Sequence, residues 1–295
     1  MIPGIRLVRK EIGQSSFDVV RGFKDRARQD GEPKLALGHG GTLDPFAEGL
    51  LVILAGQATR LMDLLHPLPK TYEADIAWGE ETDSCDHLGL PVAQGPAPDP
   101  ARLDEALAAF LGWTDQVPPA TCAKKIGGEA AYRKAHRGEE VVLPPSRVFL
   151  LEARWLAHDL PRTSTLRITC RGGYYVRSLA RDLGRALGSP AHLARLHRTA
   201  IGPWTDPGPG AEVLVQGADL LPWCAVRVLD DADQDHLLHG RPIPPGELLP
   251  PAWPLPPGFP DPGAPVAGLH GGRLTALLRE REGRLWTAAN LRGGL

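Results

Sequence analysis

The chain has 295 residues, 42% of them hydrophobic, enough for a substantial core in one large domain or two. Its longest apolar run, Leu50–Ala55, falls far short of the ~20 residues of a membrane helix. The start of the chain has no signal-peptide apolar region, and four scattered cysteines (Cys85, Cys122, Cys170, Cys224) without a Cys-x-x-Cys pair read as reduced thiols of a cytoplasmic protein. The net charge of −2 argues against polyanion binding by overall charge, yet residues 120–204 hold 15 Lys and Arg against 6 Asp and Glu. Such a segment suits a polyanion bound on one face, and equally a solvated charged surface.

In chain order, Ser15-Ser16 ahead of Val19, Val20, Phe23 and Ala27 predicts an N-capped amphipathic helix. A Gly-rich loop follows over 38–45, then a buried strand at Leu50–Ala55. Tyr72, Ala74, Ile76 and Trp78 alternate with polar or small neighbours as in a half-buried strand. Pro100 opens a helix whose apolar face is Leu103, Ala106, Leu107 and Phe110. Leu166, Ile168 and Cys170 alternate as a strand, Gly172-Gly173 turns the chain, and Ser178–Leu187 reads as a helix ended by Gly188. Strands and helices without a regular βαβ period predict an α+β fold. Residues 203–210 are rich in breakers and mark a domain boundary. Residues 242–265 hold 11 of the 30 prolines and exclude helix or central strand. Leu274–Leu278 and Leu285–Ala289, joined by Arg279–Arg284, read as a hairpin in a small β module.

Several residues could carry chemistry, each with a plainer reading. Asp44 precedes Pro45, so it sits on an extended, rigid loop; it suits a nucleophile, a base or a ligand, and equally a turn. Arg177 begins a helix and could pair bidentately with a carboxylate, or lie at the surface. Tyr72, after Lys70-Thr71, could stack on a base or fill the core. Asp83, Asp86 and His87 could ligate a metal or form a capped turn, with no EF-hand spacing. Lys124, Lys125, Arg133, Lys134 and Arg137 with Tyr132 suit phosphate contact and stacking. No phosphate-binding Gly motif of nucleotide enzymes is present in the sequence.

Taken together, these features resemble the tRNA pseudouridine synthase B family from about Ile5 to Gly202, and more loosely beyond. The resemblance is carried by Gly38-His39-Gly40-Gly41-Thr42-Leu43-Asp44-Pro45-Phe46-Ala47-Glu48-Gly49-Leu50-Leu51, where the family has Gly-His-x-Gly-x-Leu-Asp-Pro-x-Ala-x-Gly-x-Leu. Gly56-Gln57-Ala58-Thr59-Arg60, Lys70-x-Tyr72, and Gly79-x-x-Thr82-Asp83-x-x-Asp86-x-x-Gly89 follow. Val117-Pro118-Pro119 with Lys125, Gly173-x-Tyr175-Val176-Arg177-Ser178-Leu179 and His192-Leu193-x-x-Leu196-x-Arg198-Thr199 complete the family order. The chain departs from the family at Arg9-Lys10-Glu11 (for Asp-Lys-Pro), at Gly40 (for Thr) and at His197 (for Arg).

The resemblance implies a catalytic domain over residues 1–205, with a mixed, largely antiparallel sheet flanked by helices and an RNA-facing thumb at about 118–147. A linker at 206–225 and a small β-rich PUA-like RNA-binding module at 226–295 would follow. It implies isomerisation of uridine 55 in the tRNA T-loop, with Asp44 as nucleophile, Tyr72 stacked on the target base and Arg177 paired with the nucleophile. His39, Tyr175, Leu196, Lys10, Lys125, Tyr132 and Arg198 align with substrate-binding positions. Neither cofactor nor metal is implied; the resemblance implies tRNA as the partner, no membrane, and a cytoplasmic monomer. Attack at ribose C1′, addition to the base and elimination to a glycal remain open from sequence. Two other functions are compatible with parts of the pattern. One is a non-catalytic RNA-binding or tRNA-folding protein on the same scaffold. The other is a metal-dependent phosphohydrolase using Asp83, Asp86, His87 and His39.

Overall fold

The structure, a computed structural model, describes residues 2–295 apart from 123, 138 and 140, with side chains left undescribed at 125, 126, 130, 135 and 136. The chain forms two compact units. The first comprises Met1–Pro45, Gly49–Leu68 and Ala200–Leu295; the second comprises Phe46–Glu48 and Pro69–Thr199.

The first unit is built on β1 (Gly4–Lys10), flanked by β3 (Glu48–Ala55) and β14 (Glu212–Val215), both antiparallel to it. β2 (Leu37–His39) adds to β3, and β13 (Trp204–Thr205) turns back on Ala200-Ile201. Helix α1 (Ser16–Gln29) begins at Ser15 in a reciprocal cap: the Ser15 hydroxyl accepts from the Asp18 N–H, and the Asp18 carboxylate accepts from the Ser15 N–H. Its Val20 and Phe23 pack on Val8, Leu51 and Ile53. Ile5, Leu7, Leu50, Val52 and Leu54 point to the other face, into a core shared with α2 (Met62–Leu65), Leu220, Trp223 and Leu291. Both faces of β3 are thus covered, which is why Leu50–Ala55 is apolar without alternation.

The rest of this unit is a four-stranded sheet. β15 (Val226–Val228) runs parallel to β16 (Val266–His270), and β17 (Arg273–Arg281) and β18 (Arg284–Asn290) continue antiparallel. Helix α6 (Asp231–Leu238) closes over it through Leu237. The predicted hairpin is present, but its strands run further than expected and the connection shrinks to Glu282-Gly283. Both residues have positive φ, 51° and 68°, the backbone a two-residue hairpin turn requires. Arg279, Glu280 and Arg281, expected in the loop, pair with Trp286, Leu285 and Arg284 along the ladder. The segment 206–225, expected as a linker, contributes β14 and a helical turn at Gly217–Leu220. The proline-rich residues 242–265 make only isolated bridges, at Ile243 and Leu249. Ile243 packs beneath the four-stranded sheet and Trp253 and Leu255 against the main core of the unit, so this stretch is a coiled apolar cover.

In the second unit, β4 (Lys70–Trp78) lies between β11 (Thr163–Cys170) and β12 (Ala191–Ile201), and β10 (Ser146–Asp159) and β7 (Gly112–Gln116) extend the sheet beyond β11. The last two residues of β12 belong to the first unit. The β4–β11, β11–β10 and β10–β7 ladders are antiparallel. The hairpin β5 (Glu80–Thr82) and β6 (Pro91–Gln94) encloses the acidic turn. Helices α3 (Leu103–Ala108) and α5 (Val176–Leu187) pack on each other, and α5 also packs on β4. Gly188 ends α5 in the left-handed conformation, at φ 67°. Residues 125–136 form the short hairpin β8 (Lys125–Ile126) and β9 (Glu129–Ala130), followed by α4 (Ala131–His136).

Candidate active site

In the first unit, the loop that carries Asp44 is held on both sides through its backbone. The Ser16 hydroxyl accepts from the Leu43 N–H at 2.9 Å and donates to the Leu43 carbonyl at 3.1 Å, occupying both backbone groups of the residue before Asp44. On the far side, the Pro45 carbonyl accepts from the Gly13 N–H at 2.8 Å and from the Lys10 ammonium at 3.4 Å. Lys10 is fully enclosed (0% exposed) and also donates to the carbonyls of Gln14 and Glu11, at 2.8 and 3.0 Å. Asp44 itself is half-buried. At Gly40, ahead of the loop, a Cβ would meet Leu65 Cδ1 at 2.6 Å and Val52 Cβ at 3.3 Å, so the family's Thr would require the Leu65 side chain to shift.

Lys10 was expected as a substrate contact. Its ammonium donates to three backbone carbonyls inside the protein, one of them at Pro45, so it also supports the Asp44 loop. Lys10→Met removes the donor and leaves these carbonyls short of a partner. The expected result is a loss of about 2–4 kcal/mol in urea unfolding and a fall in turnover that appears in kcat rather than KM. Unchanged stability and kcat would show that the loop needs no such support.

In the second unit, Tyr72 is buried on β4, on the same face as Lys70, Ala74 and Ile76. Arg177 is the second residue of α5 and only 4% exposed. Its Nη1 donates to Thr121 Oγ1 at 2.7 Å, to the Ser84 carbonyl at 3.0 Å and to Asp86 Oδ2 at 3.2 Å, while Nη2 donates to the Thr121 carbonyl at 3.0 Å. Asp86 is fixed in turn. Its Oδ1 accepts from the Ser84 hydroxyl at 2.7 Å and from the Leu88 N–H at 3.1 Å. The acidic turn is therefore a cradle for a guanidinium. Asp83 is likewise engaged, accepting from the Leu90 N–H at 2.9 Å, and the His87 ring meets Phe46 edge-on. Asp83 and Asp86 thus accept hydrogen bonds within the turn, while His87 packs on Phe46. Among the described residues, no cluster of three or more His, Cys, Asp or Glu could hold a metal ion.

Tyr175 caps α5, with its N–H donating to Gln116 Oε1 at 2.9 Å and its carbonyl accepting from Gln116 Nε2 at 3.0 Å. Its ring packs against Cys122, Ala131 and Leu143, so the thumb region and the start of α5 share a small core. Leu196 and Arg198 lie on β12, both buried, and His39 ends β2 half-buried. Burial, reinforced by the charges of Arg198 and Arg171, pushes the Lys70 ammonium down to about 7. Burial also raises the Cys170 thiol to about 12. All four cysteines are buried thiols outside any disulfide.

In the thumb, Tyr132 is 39% exposed, and Arg133 stacks 5.9 Å from its ring centroid while donating to its hydroxyl. Arg137 is tied to Glu129 through two hydrogen bonds and to Glu139 through a third. Lys125 lies on β8, and its side chain falls outside the described residues. Sequence reasoning missed Ser16 as the clamp on Leu43, Asp86 and Thr121 as partners of Arg177, and Gln116 as the clamp on Tyr175. Of these, Asp86 carried a signal as part of the acidic turn, and Ser16 as part of the Ser15-Ser16 pair at the start of the first helix.

The family model described as TruB family pseudouridylate synthase (N terminal domain) matches residues 32–176. The tRNA pseudouridine synthase B of Xanthomonas oryzae pv. oryzae (strain MAFF 311018) is 41% identical over 206 residues, covering 69% of this chain and 65% of that relative. That of Bordetella pertussis (strain Tohama I) is 38% identical over 208 residues, covering 69% of this chain and 83% of the relative. The chain thus matches just under two thirds of the Xanthomonas protein's length and most of the Bordetella protein's. Among solved structures, an H/ACA RNP bound to a substrate RNA containing 2′-deoxyuridine aligns with TM-score 0.64 at 20% identity, covering 98% of this chain and 84% of that one. A Cbf5-Nop10-Gar1 complex aligns with TM-score 0.64 at 21% identity, with the same coverage. At such identities these two show a shared fold.

Proposed function

The chain belongs to the TruB family of pseudouridylate synthases, and from that membership we propose that it isomerises uridine to pseudouridine at position 55 in the T-loop of tRNA. The observation that carries this reading is the Asp44 loop, held at Leu43 by Ser16 and at Pro45 by Lys10 and Gly13. A carboxylate needs such backbone support when its position must be kept during bond making. A protein that only binds RNA has no use for it.

In this reading the uridine is flipped out of the loop, because its C1′ and C5 cannot be reached while it is stacked. Tyr72 stacks on the extruded uracil; His39, Leu196 and Tyr175 line its surroundings and offset part of the unstacking cost. Asp44 attacks ribose C1′ as the N1–C1′ bond breaks, and the N1–C1′ electron pair leaves with the uracil. The detached base turns over, its C5 attacks C1′, and Asp44 leaves with its own electron pair. The C5 proton is then lost and N1 is protonated, so the sum is an isomerisation with no oxidant, water or phosphoryl donor consumed. Arg177, held by Asp86, Ser84 and Thr121, supplies the positive charge at the reaction centre. Phosphate contacts come from the basic 120–204 segment, with Tyr132–Arg133 and Lys125 in the thumb. The protein acts as a monomer in the cytoplasm; among the described residues, no helix is long and apolar enough to cross a membrane.

The test is tritium release from tRNA carrying 5-tritiated uridine, with the protein first dialysed exhaustively against chelator. Stoichiometric release at one site per tRNA is expected without any added cofactor. Release that vanishes on dialysis and returns only with a metal or organic cofactor would refute the cofactor-free reading. Binding of the same tRNA should weaken at least about tenfold between 50 and 200 mM salt; a flat response would remove the phosphate contacts.

A further inference from the structure

A cleft of about 580 Å³ opens in the first unit along the C-terminal half of α1. Its walls include Leu35, Leu54 and Met62, and three cationic side chains, Lys24, Arg28 and Lys34, reach it; none of its lining residues is an Asp or Glu. Its size is that of a small-molecule site, and an apolar wall edged by cations matches an anion with a flat apolar body. Arg28 is ion-paired with Asp25, but both side chains are more than half exposed, so water screens the pair. Lys24 is held over the Phe17 ring, 5.2 Å from its centroid.

Two features choose among anions. The C-terminal half of a helix presents carbonyls and a partial negative charge, which opposes a doubly charged free phosphate. A singly charged phosphodiester gripped by long, flexible cations is compatible with it. The cleft is also lined by Leu37 and Gly38 of β2, the strand that ends at His39. An RNA strand that reaches His39 is one residue away from it.

We propose that this cleft is a second nucleotide pocket, taking one nucleotide of the bound RNA near the target uridine. Its base lies against Leu35 and Met62, and its phosphodiester lies among Lys24, Arg28 and Lys34. The inference rests on the proposed RNA-modifying function. It is tested by titrating a labelled T-arm stem-loop RNA against wild type, Lys24→Ala/Lys34→Ala and Met62→Trp over a range of salt. The double variant is expected to bind about tenfold more weakly, with a salt slope shallower by one to two ions. Met62, 46% exposed, can be enlarged without entering the core. Met62→Trp fills the cleft and is expected to weaken binding several-fold with the salt slope unchanged. Wild-type affinity and slope in the double variant would overturn the pocket. So would wild-type affinity in Met62→Trp, which would reduce the lysines to open-surface contacts. Wild-type protein that binds this RNA but forms no pseudouridine would refute the proposed activity, while the variant titrations would still decide the cleft.

Discussion

Asp44→Asn is expected to bind tRNA like the wild type and to form no measurable pseudouridine, a loss on the order of 10⁴-fold or more in single-turnover rate. The amide matches the carboxylate in shape but has no anionic oxygen to attack ribose C1′. The loop should keep its place, because Ser16 and Lys10 support it through the backbone of Leu43 and Pro45, contacts that the substitution does not touch. Loss of turnover with retained binding would therefore report chemistry rather than misfolding. Single-turnover assays with the protein in excess, paired with equilibrium binding, check it. A variant that converts tRNA at the wild-type rate would remove Asp44 from the mechanism.

Arg177→Lys should lose about 10²–10³-fold in turnover, although the charge is kept. The guanidinium reaches four acceptors through two nitrogens splayed in a plane, toward Ser84, Asp86 and Thr121. One ammonium on a shorter reach cannot meet them together. Asp86→Ala probes the same unit from the other side: the side chains of Arg177 and Asp86 are 4% and 7% exposed, so removing the carboxylate takes a counter-charge away from a buried cation. Breaking such a pair costs about 3–5 kcal/mol. The expected outcome is a lower urea midpoint together with slowed conversion. For Arg177→Lys the stability loss should be smaller than the activity loss, because the charge still faces Asp86. Near-wild-type conversion by Arg177→Lys would show that the fork geometry is not needed.

What could be read from the chain followed the physics of each signal. Alternating burial put Tyr72, Ala74, Ile76 and Trp78 on one face of β4, and a run with no alternation marked β3 as covered on both sides. The cap at Ser15 and the stop at Gly188 were local and therefore visible. The hairpin limits were misplaced because Arg279–Arg281 are charged, and an exposed strand end has the composition of a loop. Long-range hydrogen bonds were not visible at all. Nothing around Gln116 indicates that its amide will clamp Tyr175, 59 positions later, and nothing near Ser16 points to Leu43. Asp86 was noticed for its charge but not its partner, since an acidic turn looks the same whether it faces a metal, water or a guanidinium. The proline-rich stretch was legible only as an exclusion; its packing role depends on Ile243, Trp253 and Leu255.

The most direct test is to map pseudouridine, residue by residue, in an unmodified tRNA transcript incubated with the purified wild-type chain. The account predicts a single new pseudouridine, at the T-loop uridine 55, and none elsewhere. A transcript that is bound yet emerges with that uridine unchanged would contradict it.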